Sequence, residues 1–112
     1  MSKTVEILLY TLRPGTGAEF HEIMRTVSVP LHASVGMDVV AFGQSIHDPD
    51  AYYLIRSYRD LRHLELSQAE FYKSDAWRNG PRTEIVDRIT SSLKTVVDMP
   101  KESVEALRKG YA

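Results

Sequence analysis

Thr4-Val5-Glu6-Ile7-Leu8-Leu9-Tyr10-Thr11-Leu12, broken by Arg13-Pro14-Gly15-Thr16-Gly17, is the stretch on which the fold turns. Ile7, Leu9 and Thr11 alternate with Glu6, Leu8, Tyr10 and Leu12, so side chains of period two carry apolar groups on both faces. This is the pattern of a strand with both faces at least partly covered. Pro14 and Gly15 end it, and Thr16 is placed to cap a following helix.

From Ala18 to about Val35 the period lengthens. Phe20, Ile23, Val27, Leu31 and Val35 recur every three or four residues and predict one buried helical stripe. Pro30 lies inside it, lacks an N–H and crowds the carbonyl of Thr26, which predicts a kink. Gly36 is suited to end the helix in the left-handed conformation. Asp38 to His47, with Val39-Val40-Ala41-Phe42, reads as a second strand, and His47-Asp48-Pro49-Asp50 as a turn. Ala51 to Tyr58 is rich in aromatic and β-branched residues, hence a third strand and an antiparallel hairpin. Asp60 caps a helix over Leu61 to Lys73 with Leu61, Leu64, Gln68 and Phe71 inward. Ser74 to Gly80 reads as an irregular bridge, Pro81 as the first turn of a short helix, and Thr90 to Val97 as the last strand.

The order βαββαβ predicts an α+β chain, a four-stranded antiparallel sheet with both long helices on one face, which is a ferredoxin-like plait. The expected division is a domain over 1–99 and a C-terminal tail over 100–112, able to form one or two helical turns as an appendage. In this arrangement the second sheet face, assigned Leu8, Tyr10, Leu12, Phe42 and Leu54, is left bare. Exposed apolar surface costs about 25 cal/mol per Å², and a contiguous patch of that kind marks an interaction site. A homodimer closing two such faces around a central cavity is the expected solution.

Composition sets limits on function. The 112 residues and 12.7 kDa allow one domain. Fourteen Lys+Arg against fifteen Asp+Glu leave a net charge of −1, which argues against a nucleic-acid partner. No apolar run is long enough to span a bilayer, so no membrane partner is expected. With no cysteine there is no disulfide, thiol nucleophile or thiolate metal site. The start, Met-Ser-Lys-Thr-Val-Glu, has no signal-type apolar region, and the expected location is cytoplasmic.

The stretch Val5 to Gly15 resembles the opening of NIPSNAP-type domains, where a strand of the form Tyr-Glu-Leu-Arg-x-Tyr-x-Leu runs into Lys/Arg-Pro-Gly. Phe71-Tyr72-Lys73-Ser74-Asp75-Ala76-Trp77-Arg78-Asn79-Gly80-Pro81-Arg82 resembles that family's second signature, a Phe-Tyr, then Trp, then Gly-Pro-Arg. The resemblance covers about residues 4–98. It implies a dimeric α+β barrel, in a superfamily that also holds small monooxygenases, haem-degrading enzymes and muconolactone isomerase-like proteins. Leu8 stands where the family usually has Arg, so the resemblance does not carry over any ligand contact made by that Arg.

Candidate chemistry gathers on a few residues. Glu6 and Tyr10 share a strand face with Leu8 and Leu12, as in a pocket with few polar contacts, or else as a surface ion pair and a packed ring. Arg56, mid-strand, needs a partner if buried, and Glu6 is the natural one in this plait. Gln44 is mid-strand and able to bind a ligand carbonyl or a backbone group. His32, following Pro30, is the candidate acid–base group, with Tyr10 and Glu6, and packing is the competing role. His21 and His63 read as solvent-facing, and His47 as a turn residue. The four histidines show no metal-pair spacing, so no metal and no cofactor are expected, with haem ligation by one histidine as the alternative. Trp77 with Phe71 and Tyr72 forms an aromatic cluster, either packing or a pocket wall. Phe42, Leu54, Trp77, Gln44 and Arg56 are the expected ligand contacts. The expected function is binding of a small apolar molecule in a cavity formed by the barrel. The alternatives are a cofactor-independent monooxygenase or isomerase on a small aromatic substrate, and a non-enzymatic dimerisation module.

Overall fold

The computed structural model describes residues 1–110. Its elements are β1 (Ser2–Leu12), α1 (Gly17–Ile23), a π-helical turn (Met24–Ser28), α2 (Val29–Ser34), β2 (Asp38–Gln44), β3 (Ala51–Tyr58), α3 (Leu61–Lys73), α4 (Asp75–Arg78), α5 (Arg82–Val86), β4 (Ile89–Pro100) and α6 (Lys101–Lys109). The four strands form one antiparallel sheet in the order β2-β3-β1-β4. This is the α+β, ferredoxin-like arrangement that the period changes predict.

Register decides which side chains meet. Rungs across β1 and β3 pair Glu6 with Arg56, Leu8 with Leu54 and Tyr10 with Tyr52, and β2 adds Phe42 opposite Leu54 and Gln44 opposite Tyr52. All of these share one face. That face is the one the helices cover: Leu8, Leu12, Tyr52, Leu54 and Tyr58 pack with Phe20, Met24, Leu64, Phe71, Trp77 and Ile85 in the main core, with Tyr10 and Phe42 at its margin. The expectation that Leu8, Tyr10, Leu12, Phe42 and Leu54 form the bare face is therefore corrected. A strand apolar on both faces does not say which face the helices take.

The other face carries Val5, Ile7, Leu9, Tyr53 and Ile55. It is not wholly bare. Val104 of α6 is fully buried against Val5 and Val40, with Ile7, Ile55, Met99 and Leu107 around it. Arg108 reaches back to Asp38 with two 2.8 Å hydrogen bonds. The segment from Pro100 onward, read as an appendage, docks on the sheet over its described part, and its residues 111 and 112 lie outside the described residues.

The Pro30 kink takes a specific form. The Val29 N–H donates to the Met24 carbonyl, a five-residue spacing, which opens one wide turn just before the proline. That turn uses an extra residue and rotates everything downstream. The buried stripe becomes Phe20, Met24, Ser28 and His32. Val27 and Val35, expected inside, are about half exposed. Gly36 ends the helix at φ +77°, as its position predicts. Asp60 caps α3 through its carboxylate and the His63 N–H. Ser74 to Gly80 contains α4, a single turn capped by the Ser74 hydroxyl.

Candidate functional site

The wide turn brings His32 onto the rung of Glu6 and Arg56, between sheet and helices. Arg56 Nε donates to Glu6 Oε1 at 2.8 Å, and Nη2 lies 2.6 Å from the same oxygen. Both side chains are buried almost completely. The other carboxylate oxygen accepts from Gln68 Nε2 at 2.7 Å, and Lys94 Nζ stands 3.7 Å away. Gln68 also donates to the Tyr58 hydroxyl, at 3.1 Å. Arg56 Nη1 donates to the Tyr72 hydroxyl at 2.8 Å and lies 3.1 Å from His32 Nε2.

The tautomer of His32 follows from its two neighbours. Nδ1 sits 2.7 Å from the Ser28 carbonyl, which can only accept. Nδ1 therefore carries the hydrogen, and Nε2 offers its lone pair to Arg56, which can only donate. Burial lowers the His32 pKa to about 4, helped by the Arg56 charge and opposed by the Ser28 carbonyl. Arg56 itself is held above its ordinary value. Burial works against its charge, but Tyr72, Tyr58 and Glu6 outweigh it. Burial likewise raises the Tyr10 phenol, so it stays neutral.

Three of the candidates thus meet in one network: Glu6, Arg56 and His32. Every polar group of Glu6 and Arg56 has a partner, and His32 uses both ring nitrogens. Arg56 occupies the His32 Nε2 lone pair, and both Glu6 carboxylate oxygens accept hydrogen bonds, so the groups expected to do acid–base work are engaged with one another. Tyr10 packs edge-on to Phe20 one rung beyond Leu8. Gln44 lies on the rung of Tyr10, but its amide donates to the Pro49 carbonyl at 3.1 Å. The apolar rung Leu8–Leu54–Phe42 separates it from Arg56. Between them Leu54 packs in the core and Phe42 at its margin. Trp77 is buried against Phe71 and Tyr72, with ring centroids 5.4 and 5.2 Å away. His21 and His63, read as solvent-facing, are half-buried. His21 Nδ1 lies 2.6 Å from the Tyr52 hydroxyl, and His63 Nδ1 accepts from the Arg59 N–H at 3.0 Å.

Tyr72, Gln68, Tyr58 and Ser28 belong to the network but were not among the expected site residues. The signal for Gln68 was visible: a polar residue on the inner stripe of α3 needs a buried partner. The sequence marks Tyr72 as a member of the aromatic cluster with Phe71 and Trp77, but its hydrogen bond from Arg56 depends on where Arg56 points.

A hollow of about 250 Å³ lies on the opposite sheet face, at the end that α6 does not reach. Leu9, Thr11, Ser45, His47, Tyr53, Ser91 and Leu93 are among the residues that line it. Leu9 is 51% and Leu93 71% exposed. Among the described residues, no cluster of three His, Asp or Glu side chains is placed to hold a metal, and no helix is long and apolar enough to cross a membrane.

The same layers and helix placement occur in solved structures. A NIPSNAP family protein from Agrobacterium tumefaciens superposes with a TM-score of 0.80 at 16% identity, over 92% of this chain and 90% of that one. The fold is that of NIPSNAP family proteins. A NIPSNAP-like domain protein from Burkholderia xenovorans gives a TM-score of 0.78 at 18% identity, over 88% and 84% of the two chains. A proposed antibiotic biosynthesis monooxygenase from Nitrosomonas europaea shares the layers with a TM-score of 0.63 at 16% identity, over 84% and 95%. No family model and no curated protein matches the sequence. At these identities the NIPSNAP-type likeness speaks to fold alone. It agrees with the two sequence signatures, whose second half builds the Tyr72–Trp77 corner beside the buried network.

Proposed function

We propose that this NIPSNAP-like chain is a homodimeric binding domain that takes up a small apolar molecule against the open sheet face. The observation that carries the reading is the hollow walled by Leu9, Tyr53 and Leu93. It is concave and mostly apolar, with Leu9 and Leu93 exposed in one copy. A second copy laid face to face closes it and removes the exposed leucines from water, worth about 25 cal/mol per Å² of apolar surface. A few polar groups in its lining, Ser45, His47 and Ser91, suit a ligand with one polar end. The enzyme reading receives less support, because the buried His32–Arg56–Glu6 network is internally satisfied.

Sedimentation at micromolar concentration tests the dimer. The expected particle has twice the 12.7 kDa mass of the chain, and Leu93→Lys is expected to give the single-chain mass. A wild-type particle of 12.7 kDa refutes the reading. Thermal shift against a panel of phenols, quinones and fatty acids tests the ligand: at 100 times its dissociation constant a true ligand adds about 2.7 kcal/mol. A dimer that no member of the panel stabilises leaves the dimerisation-module reading in its place.

A further inference from the structure

We propose that a second site, on the opposite side of the sheet, binds a small-molecule oxyanion, a carboxylate or phosphate, in the hollow ringed by Tyr72, Arg78, Asn79 and Arg82. The proposal does not depend on the dimer or on the apolar hollow.

The local sequence builds the ring. Trp77 is buried and anchors α4. Gly80 follows with its N–H on the Trp77 carbonyl at 3.2 Å. A Cβ there would stand 2.2 Å from the Ala76 carbonyl oxygen, so the turn can close this tightly only with glycine. Pro81, also buried, starts α5. The chain thus doubles back within Trp77-Arg78-Asn79-Gly80-Pro81-Arg82, and the side chains on either side of the turn border one open hollow of about 490 Å³.

Its chemistry is one-sided. The walls contain two guanidinium groups and no carboxylate. Neither Arg78 nor Arg82 has an ion pair or side-chain hydrogen bond among the described residues, whereas Arg25, Arg56, Arg88 and Arg108 each have an acidic partner. The acidic residues of the same helices, Asp75 and Glu84, are exposed and outside the walls. Tyr72 supplies a third donor. Its oxygen accepts from Arg56, and its own hydrogen remains to bond outward. Rings of Phe71 and Trp77, both at 5.2 Å, hold the phenol in place. Two planar forks and a directed O–H around one concavity match the several acceptor oxygens of a carboxylate or phosphate. The two guanidinium charges disfavour a cation there.

Titration of the full chain with inorganic phosphate and separately with benzoate, followed by the Nε–Hε resonances of arginine at constant ionic strength, tests the site. Saturable shifts with one or both anions are expected, and which of them saturates tells phosphate from carboxylate. Arg78→Gln and Arg82→Gln are each expected to weaken binding at least fivefold, and the double variant to abolish it. Tyr72→Phe is expected to weaken it less, with the fold retained by circular dichroism. Leu93→Lys is expected to leave it unchanged. Non-saturating shifts, or equal binding by the double variant, overturn the proposal. Response only to anionic vesicles or a polyanion, with neither small anion saturating, overturns it as well.

Discussion

Arg56 Nη2 lies 2.6 Å from Glu6 Oε1, across adjacent strands and under the helices, with both side chains out of reach of water. Taking two charges out of water costs several kcal/mol each, and the pair holds only because Gln68, Tyr72 and His32 satisfy what remains. It joins β1, β3, α2 and α3 at a single rung.

Removing one partner of that pair is expected to be costly. Glu6→Gln strands a buried guanidinium and should lose about 3–5 kcal/mol of stability. Arg56→Met should lose a comparable amount, and the double variant less than the two losses added. Urea denaturation of the four forms reads the coupling.

His32 makes stability depend on pH with a definite sign. Its pKa is 6.5 when unfolded and about 4 when folded. Between those values the unfolded chain holds the extra proton, so the contribution is complete above pH 6.5 and drains away as pH falls toward 4. The separation amounts to about 3 kcal/mol at full extent. His32→Gln should be less stable throughout but should lose less between pH 7.5 and 5. A wild-type urea midpoint that does not move over that interval contradicts this account.

The α6 docking predicts a contrast between its two anchors. Val104→Ala opens space against Val5 and Val40 and is expected to cost about 1–3 kcal/mol. Arg108→Ala removes a pair on Asp38 that is partly in solvent and should cost at most about 1 kcal/mol. Burial pushes Asp38 upward, but Arg108 and Ser57 outweigh it and hold its pKa below the ordinary value, so the Arg108 contribution should fade in acid. Thermal melts of both variants at neutral and low pH make the comparison.

Gly17→Ala is expected to be disruptive out of proportion to its size. A Cβ at residue 17 would lie 1.8 Å from the Pro49 carbonyl oxygen, and the Gly17 N–H is held by Asp50 Oδ1 at 2.9 Å. The β1–α1 corner and the β2–β3 turn would have to separate, at about 1–3 kcal/mol. Asp50→Ala, which also frees the Gly15 N–H, should weaken the same corner, seen as faster amide exchange at Gly15 and Gly17.

Much of this was legible in the order of residues, because period and punctuation are local properties. The alternation in Glu6 to Leu12, the Asp60 cap, Gly36 and the aromatic run of β3 each determine their own backbone, and the βαββαβ order then leaves few sheets to choose from. The pairing of Glu6 with Arg56 was legible too, since two charged residues in mid-strand need each other. Tertiary structure decided what depends on more than one element at a time. Which face of a two-sided strand the helices cover is settled by total packing, and it put Phe42 and Leu54 in the core. Where His32 points depends on how one wide turn absorbs Pro30, a rotation that no count of apolar spacing contains. Whether Val104 packs or dangles depends on a strand some hundred residues earlier, because burial is a property of the whole chain folded upon itself.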